Sequence, residues 1–227
     1  GNALEDANAH YNIALGKSAG ANLTSGCCNI IMGVQASACG VITGNDNVFL
    51  GRYVAKCASS ASGNIIMGSC AVNNDNFTGG CNVILGKAAA TALTSGTMNV
   101  FLGYEAGKNV TTCSYDIFIG HESGKCNDGS DNIALGRSAG KGGTTVSSNT
   151  GAKNISIGLE AGCGNITGSH NVFLGSCAGK ENRCGSDNVY IGNGAGQYNT
   201  TTTSRSVYVG QYSGRYLCGG CNIAFGF

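Results

Sequence analysis

One short sequence formula recurs along the chain: Asn, then Ile or Val, any residue, an apolar residue and Gly, followed after two variable residues by a small residue, usually Ala. Successive openings are 16 to 18 residues apart, with one interval of 22. A repeat of this length is typical of a solenoid, in which each repeat forms one coil. We therefore interpret residues 12–227 as a single β-solenoid array and residues 1–11 as a degenerate first coil. The openings are Asn12, Asn29, Asn47, Asn64, Asn82, Asn99, Asp116, Asn132, Asn154, Asn171, Asn188, Ser206 and Asn222.

Each opening predicts a short β-strand. Its second and fourth residues are apolar, as in Val100 and Leu102, and strict alternation places two such side chains on one face of a strand. We expect that face to form the core, and the glycine after the strand to allow a bend. The predicted fold is all-β, a parallel β-solenoid (β-roll) of about 13 coils of 16–18 residues. Coils stacked about 4.8 Å apart would form a rod about 60 Å long.

The third residue of each strand is then expected to point outward. This row is mostly aliphatic and aromatic, and a continuous exposed apolar surface is typical of an association site. We interpret the row as a lateral interface between identical chains, most simply in a trimer. The alternative is a coil whose own chain covers both faces of the strand. The predicted interface residues are Ile31, Phe49, Ile66, Ile84, Phe101, Phe118, Phe173, Tyr190 and Tyr208.

The opening asparagines predict a ladder along the solenoid, because stacked identical amides can hydrogen-bond from coil to coil. Asp116 and Ser206 replace Asn without losing the capacity for hydrogen bonding. The alternative is that Asn serves only as the residue at which each coil enters its turn. The predicted ladder comprises Asn12, Asn29, Asn47, Asn64, Asn82, Asn99, Asn132, Asn154, Asn171, Asn188 and Asn222.

Composition excludes several other classes of protein. The chain has 39 Gly and no Pro, and Gly does not occur at every third position, which excludes collagen. Disorder is disfavoured by 42% hydrophobic and 11% charged residues. The net charge of +1 gives no basic face for nucleic acid. No apolar run approaches the roughly 18 residues of a membrane span.

Thirteen cysteines favour an oxidising compartment over the cytosol. Cys39 and Cys57 occupy the same repeat position in adjacent coils, where a spacing of about 4.8 Å lies within disulfide range. We predict that they form a disulfide. Asn-x-Ser/Thr sequons add candidate glycosylation sites, although Asn and Thr are also common corner residues. Together these features favour an extracellular or virion-surface location. The candidate glycosylation sites are Asn22, Asn76, Asn109, Asn165 and Asn199.

Catalytic and metal-binding patterns are weak. His10, His121 and His170 fall in different coils, and the acidic residues are scattered. A pair of catalytic carboxylates needs a cleft, and a 17-residue coil leaves little room for one. Cys218 and Cys221 form half of a zinc motif whose second half is missing. We expect no enzymatic activity, no metal and no cofactor.

The repeat Asn-Val-x-Leu-Gly-x-x-Ala-Gly resembles the repeats of phage tail-fibre proteins. It is also similar to the β-roll head of trimeric autotransporter adhesins. The resemblance covers residues 12–227 and implies a left-handed solenoid, a trimer and a role as a fibre or adhesive head. We expect a structural fibre subunit with itself as partner. The alternative is a module that binds a cell-surface glycan or receptor.

The two ends of the sequence carry a further expectation. A complete strand motif, residues 222–226, stands at the end of the chain with no polar cap after it. Either the chain is part of a longer fibre, or its last coil pairs with the first coil of another subunit. The second case predicts head-to-tail polymerisation.

Overall fold

A computed structural model describes residues 9–39, 41–143, 149–199, 203–217 and 219–226. Residues 1–8 of the predicted degenerate first coil lie outside the described residues. The chain forms two compact units, Gly1–Ser114 and Tyr115–Phe227. Each unit is a β-solenoid, and each is considered by itself.

In its described part, the first unit contains six strands of three residues. Consecutive strands pair in parallel, and residues at the same repeat position are partners; Ile31, for example, pairs with Phe49. β-Branched residues dominate these strands because they fit the pleated surface well. The strands are β1 (Ile13–Leu15), β2 (Ile30–Met32), β3 (Val48–Leu50), β4 (Ile65–Met67), β5 (Val83–Leu85) and β6 (Val100–Leu102).

The described part of the second unit contains seven strands built in the same way. They too pair in parallel with no change of register, including the pair β8 and β9, which the 22-residue interval separates. The predicted all-β parallel solenoid is therefore confirmed. The strands are β7 (Ile117–Ile119), β8 (Ile133–Leu135), β9 (Ile155–Ile157), β10 (Val172–Leu174), β11 (Val189–Ile191), β12 (Val207–Val209) and β13 (Ile223–Phe225).

The glycine after each strand is required by the distance between coils. At Gly136, φ is 131°, and a Cβ would lie 2.6 Å from the carbonyl oxygen of Gly158 in the next coil. At Gly51, a Cβ would lie 2.7 Å from the oxygen of Gly68. Any larger residue would push neighbouring coils apart, so the glycine fixes how closely coils can stack.

The predicted asparagine ladder is present, and its asparagines are buried or half-buried. At Asn171, the backbone N–H and the side-chain Nδ2 both donate to Oδ1 of Asn154, each at 3.0 Å. Nδ2 also donates to the carbonyl oxygen of Gly185 at 2.8 Å. Oδ1 of Asn171 in turn accepts two hydrogen bonds from Asn188. One side chain per coil thus makes the bonds that hold the coil before it and the coil after it.

The ladder tolerates the two substitutions that interrupt it. A carboxylate oxygen of Asp116 accepts from the backbone N–H of Asn132 at 2.6 Å. The hydroxyl of Ser206 accepts from the backbone N–H of Asn222 at 3.1 Å, while its own N–H donates to Asn188. Both residues keep the acceptor that the following coil needs.

The predicted assignment of the two strand faces is wrong. The middle residue of each strand points into the coil, and the first and third residues point outward. The nine residues predicted to form a lateral interface are at most 1% exposed and belong to the core. These residues are Ile31, Phe49, Ile66, Ile84, Phe101, Phe118, Phe173, Tyr190 and Tyr208.

The physical reason is the narrow interior of a 17-residue coil. Alternation shows that a strand has two faces, but it does not show which of them is inside. The interior accepts one large strand residue when the opposite corners are small, as where Phe49 lies in the same coil as Val54 and Ala58. In the next coil Ile66 accompanies Ala71 and the larger Phe77. Because protein interiors are closely packed, a larger side chain at one inward position requires a smaller one at another position of the same coil.

We predict that adjacent residues of β3 differ sharply in their effect on stability. Phe49→Ala should lower the free energy of unfolding by about 3–5 kcal/mol, because it opens a cavity in the core. Leu50→Ala should cost about 1 kcal/mol, because Leu50 is already half-exposed. Urea unfolding followed by circular dichroism measures both changes. Equal costs would contradict the inward placement of Phe49.

A second prediction concerns the ladder. Asn171→Leu should cost about 3–6 kcal/mol, because it removes the four hydrogen bonds of this carboxamide and leaves the backbone N–H of Asn188 buried without an acceptor. Asn171→Ser is the matched control, because a serine at Ser206 already supplies the acceptor for the next coil. The serine variant should lose about half as much. If both variants unfold at the urea concentration of the parent protein, the ladder contributes little to stability.

Candidate functional site

The most extensive unusual surface is a sheet face that carries only apolar side chains. We call it the aliphatic face and define it as the first and third residues of every strand. None of these residues is polar or charged in either unit, yet all of them are half-exposed or exposed. Those with the greatest exposure are Ile13, Leu15, Ile65, Met67, Ile119, Leu174, Ile223 and Phe225.

The size of this face can be judged from strand geometry. Six strands about 4.8 Å apart and about 10 Å wide give roughly 300 Å² in the first unit. Exposed apolar residues such as Met98 and Tyr104 lie beside the strands and widen the face. Exposed Lys17, Arg52 and Lys87 follow the strand-ending glycines and give it a polar rim. An apolar centre with a polar rim is typical of a protein interface.

A second surface of the second unit carries paired charges. Glu122 contacts Lys125 of its own coil at 2.6 Å and Lys141 of the next coil at 2.8 Å. These two hydrogen bonds lower the pKa of Glu122 to about 2. Glu160 contacts Lys180 at 2.7 Å, which lowers the pKa of that carboxyl and raises the pKa of the lysine. The acids come two residues after the strand-ending glycine and the cations five residues after it.

A pocket of about 400 Å³ adjoins these pairs and is lined in part by Lys125, Lys141, Cys163 and Glu181. Its two lysines are held by Glu122. Burial, followed by the charge of Glu160, raises the pKa of the Cys163 thiol, so the thiolate is disfavoured. The pocket therefore offers no activated nucleophile among these groups.

The predicted disulfide between Cys39 and Cys57 is confirmed, with Cα atoms 4.8 Å apart in adjacent coils. Its partners share one repeat position, as expected from in-register stacking. Cys28, Cys81 and Cys221 are exposed, and each precedes a ladder asparagine.

Two of the candidate glycosylation sites are wrong because their side chains are buried. Nδ2 of Asn165 donates to the carbonyl oxygen of Gly168 at 2.8 Å and closes a corner of the coil. Asn199 is completely buried. Asn22 and Asn76 are exposed and Asn109 is half-exposed, so glycosylation of these three remains a prediction.

The sequence analysis missed one cluster, which we call the tyrosine–arginine cluster: Tyr198, Tyr212, Arg215 and Tyr216. The rings of Tyr198 and Tyr216 stack 5.2 Å apart at an angle of 16°. The Arg215 guanidinium lies 5.1, 4.6 and 5.4 Å from the ring centres of Tyr198, Tyr212 and Tyr216. The signal was available, because Tyr198 and Tyr216 occupy the same position in consecutive repeats.

The described residues also bear on the histidines, on metal binding and on membrane spans. The three histidines are exposed and separate. In the part of the chain that the structure describes, no three His, Cys, Asp or Glu side chains come together as metal ligands. Those same residues include no helix long and apolar enough to cross a membrane.

Comparisons with protein-family models, with curated proteins and with solved structures gave no match to this chain.

We predict that Glu122 makes stability depend on pH in acid. Its pKa falls from 4.5 in the unfolded chain to about 2 in the folded chain. Its stabilising effect is therefore complete above pH 4.5 and is lost as the pH falls through 2. Because the side chain is 20% exposed, we expect at most about 1 kcal/mol.

The measurement is urea unfolding of the parent protein and of Glu122→Gln at pH 6, 4 and 2. The two proteins should differ at pH 6 and converge at pH 2. Asp75→Asn is the control, because Asp75 is 91% exposed and lies 3.5 Å from Lys56. A Glu122→Gln difference that persists unchanged at pH 2 would rule out this assignment.

Proposed function

We propose that the protein is a structural subunit of a fibre, in which β-solenoids associate side by side through their aliphatic faces. The observation that carries this proposal is the absence of any charged or polar residue at the outward strand positions of the described strands. In a strand with one solvated face, the residues that point to solvent are ordinarily polar. A partner that covers the face removes its apolar side chains from water, which is favourable in proportion to the area covered.

Area supports an assembly with several contacts. A standard interface buries about 800 Å² on each partner. The face of the first unit, about 300 Å², is below this area on its own. Faces repeated along a fibre can reach the required area. The resemblance to trimeric β-roll proteins makes a trimer about the long axis the arrangement to test first.

The bonds between coils favour growth in one direction. Each coil binds the next through the same ladder bonds and the same parallel strand pairing, displaced along the axis. A contact between unlike surfaces that repeats by translation is heterologous and does not close on itself. Stacking between the coils of different subunits is therefore the second contact in the proposed fibre.

An extracellular or virion-surface location follows from the same proposal. The Cys39–Cys57 disulfide is stable in an oxidising environment, and the exposed Asn22 and Asn76 sequons are accessible to glycosylation there. The repeat keeps nearly the same length and pattern through both units, which favours a structural role over catalysis.

We predict that charges on the aliphatic face prevent association. Ile65→Lys combined with Met67→Lys and Leu174→Lys should abolish side-by-side association and leave 22.8 kDa monomers or single filaments, whereas the parent protein should form laterally associated assemblies. The positions are 36–42% exposed, so the fold should survive. Light scattering and electron microscopy measure the assembly, and circular dichroism tests the fold.

The control places three lysines on other exposed positions, Ser60, Ser95 and Thr167. It changes the net charge equally and should assemble like the parent protein. The proposal fails if the face variant is folded and still associates side by side, or if the parent protein is itself monomeric at high concentration.

A further inference from the structure

Arg215 is an exception in a column of paired cations. Five residues after the strand-ending glycine, Lys108, Lys125, Lys141 and Lys180 each contact a glutamate. Arg215 occupies the same repeat position, but no carboxylate among the described residues lies within ion-pair distance of it. Its guanidinium donates one hydrogen bond to the described residues, from Nε to Oε1 of Gln197 at 3.1 Å.

The missing glutamate has a local cause. These four lysines contact a glutamate in their own coil or in the coil before, two residues after the glycine. For Arg215 those two positions hold Tyr212 and Gly194. A Cβ on Gly194 would overlap Cδ1 of Tyr212, so this glycine makes room for the tyrosine ring. With Gly194 and Tyr212 at these two positions, Arg215 is an open cation beside an aromatic ring.

The tyrosines give this cation a defined and accessible setting. Tyr216 is 68% exposed, and Tyr198 and Tyr212 are also exposed. Their ring faces carry partial negative charge and hold the guanidinium in place. The Gln197 bond uses Nε and leaves the two terminal nitrogens for a ligand. The planar fork of arginine matches a carboxylate, with two parallel hydrogen bonds.

We propose that the tyrosine–arginine cluster binds a carboxylate-bearing saccharide. Arg215 would receive the carboxylate, and an exposed tyrosine ring would stack against the C–H face of the sugar. A sugar acid combines one negative charge with a flat apolar face, and these are the two features that the cluster offers. Nucleic acid fits less well, because binding along a phosphate backbone requires several cations.

This site is separate from the proposed self-association. None of its residues belongs to a strand or to the aliphatic face. Its contacts lie within coils of the second unit. Failure of saccharide binding would therefore leave the fibre proposal unaffected, and failure of assembly would leave the site intact.

The test uses methyl β-glucuronide and methyl β-glucoside, which differ only in the carboxylate. Ligand-observed saturation-transfer NMR at low salt suits both monomers and large assemblies. We expect the glucuronide to bind with a millimolar dissociation constant. The glucoside should bind at least tenfold more weakly because it lacks the charge-assisted hydrogen bonds. Acetate, which lacks the sugar ring, should also bind at least tenfold more weakly.

Variants locate the site. Arg215→Gln should reduce glucuronide affinity at least tenfold, and Arg215→Lys should reduce it several-fold because the fork is lost. Gly194→Glu should place a carboxylate near Arg215, displace the Tyr212 ring that occupies this space, and block the ligand. Glutamates occupy this position elsewhere with φ of 54–56°, close to the 66° of Gly194, so this variant should fold. Thermal unfolding verifies the fold of each variant.

Three results would overturn the proposal. The first is no glucuronide binding at 50 mM, on the order of ten times the expected dissociation constant. The second is acetate or glucoside binding as tightly as the glucuronide. The third is undiminished glucuronide binding by a folded Arg215→Gln or Gly194→Glu variant.

Discussion

Register between coils is the constraint on which the rest of this structure depends. A carboxamide has two donors on its nitrogen and can accept twice at its oxygen, and Asn171 uses all of them on neighbouring coils. A shift of one residue between two coils would break this set of bonds and turn every strand side chain to the opposite face. Once the register is fixed, residues at one repeat position form columns. The core, the paired charges, the disulfide and the aliphatic face are all such columns.

The same frame encloses two kinds of interior. In the first unit the third inward corner is apolar, with Ile42, Phe77 and Leu93. In the second unit buried asparagines take this place, and two of them, Asn165 and Asn182, bond to the carbonyl oxygens of the corner that follows. Tyr190 and Tyr208 stack beside them at 4.7 Å. Burial raises the pKa of Tyr190, and Asn199 opposes that rise. Because only the corner and strand side chains change, the backbone of the coil accepts either interior.

The sequence was sufficient for whatever depends on period alone. The strands, their parallel order, the ladder and the Cys39–Cys57 bond follow from spacing, since residues one repeat apart must be neighbours. The spacing did not predict which strand side chains point into the coil. Phe101 and Leu102 are both apolar, and alternation cannot show which of them is inside. The third inward corner carried part of the answer, because the large Phe49 shares its coil with Ala58, whereas the smaller Ile66 shares its coil with Phe77. The glycosylation prediction at Asn165 was wrong for the same reason. The tripeptide sequon does not show whether the Asn side chain points to solvent or into the coil.

A repeat protein provides its own reference for judging a site, because each column shows what a position holds when only the fold matters. A single departure from the column is weak evidence. Cys163 replaces a lysine and Cys177 replaces a glutamate, yet Glu160 and Lys180 still pair across them and burial keeps the Cys163 thiol protonated. The departures at Gly194, Tyr212 and Arg215 differ because the three residues lie against one another. The glycine gives the Tyr212 ring its space, the ring lies against the Arg215 guanidinium, and no carboxylate among the described residues pairs with that charge.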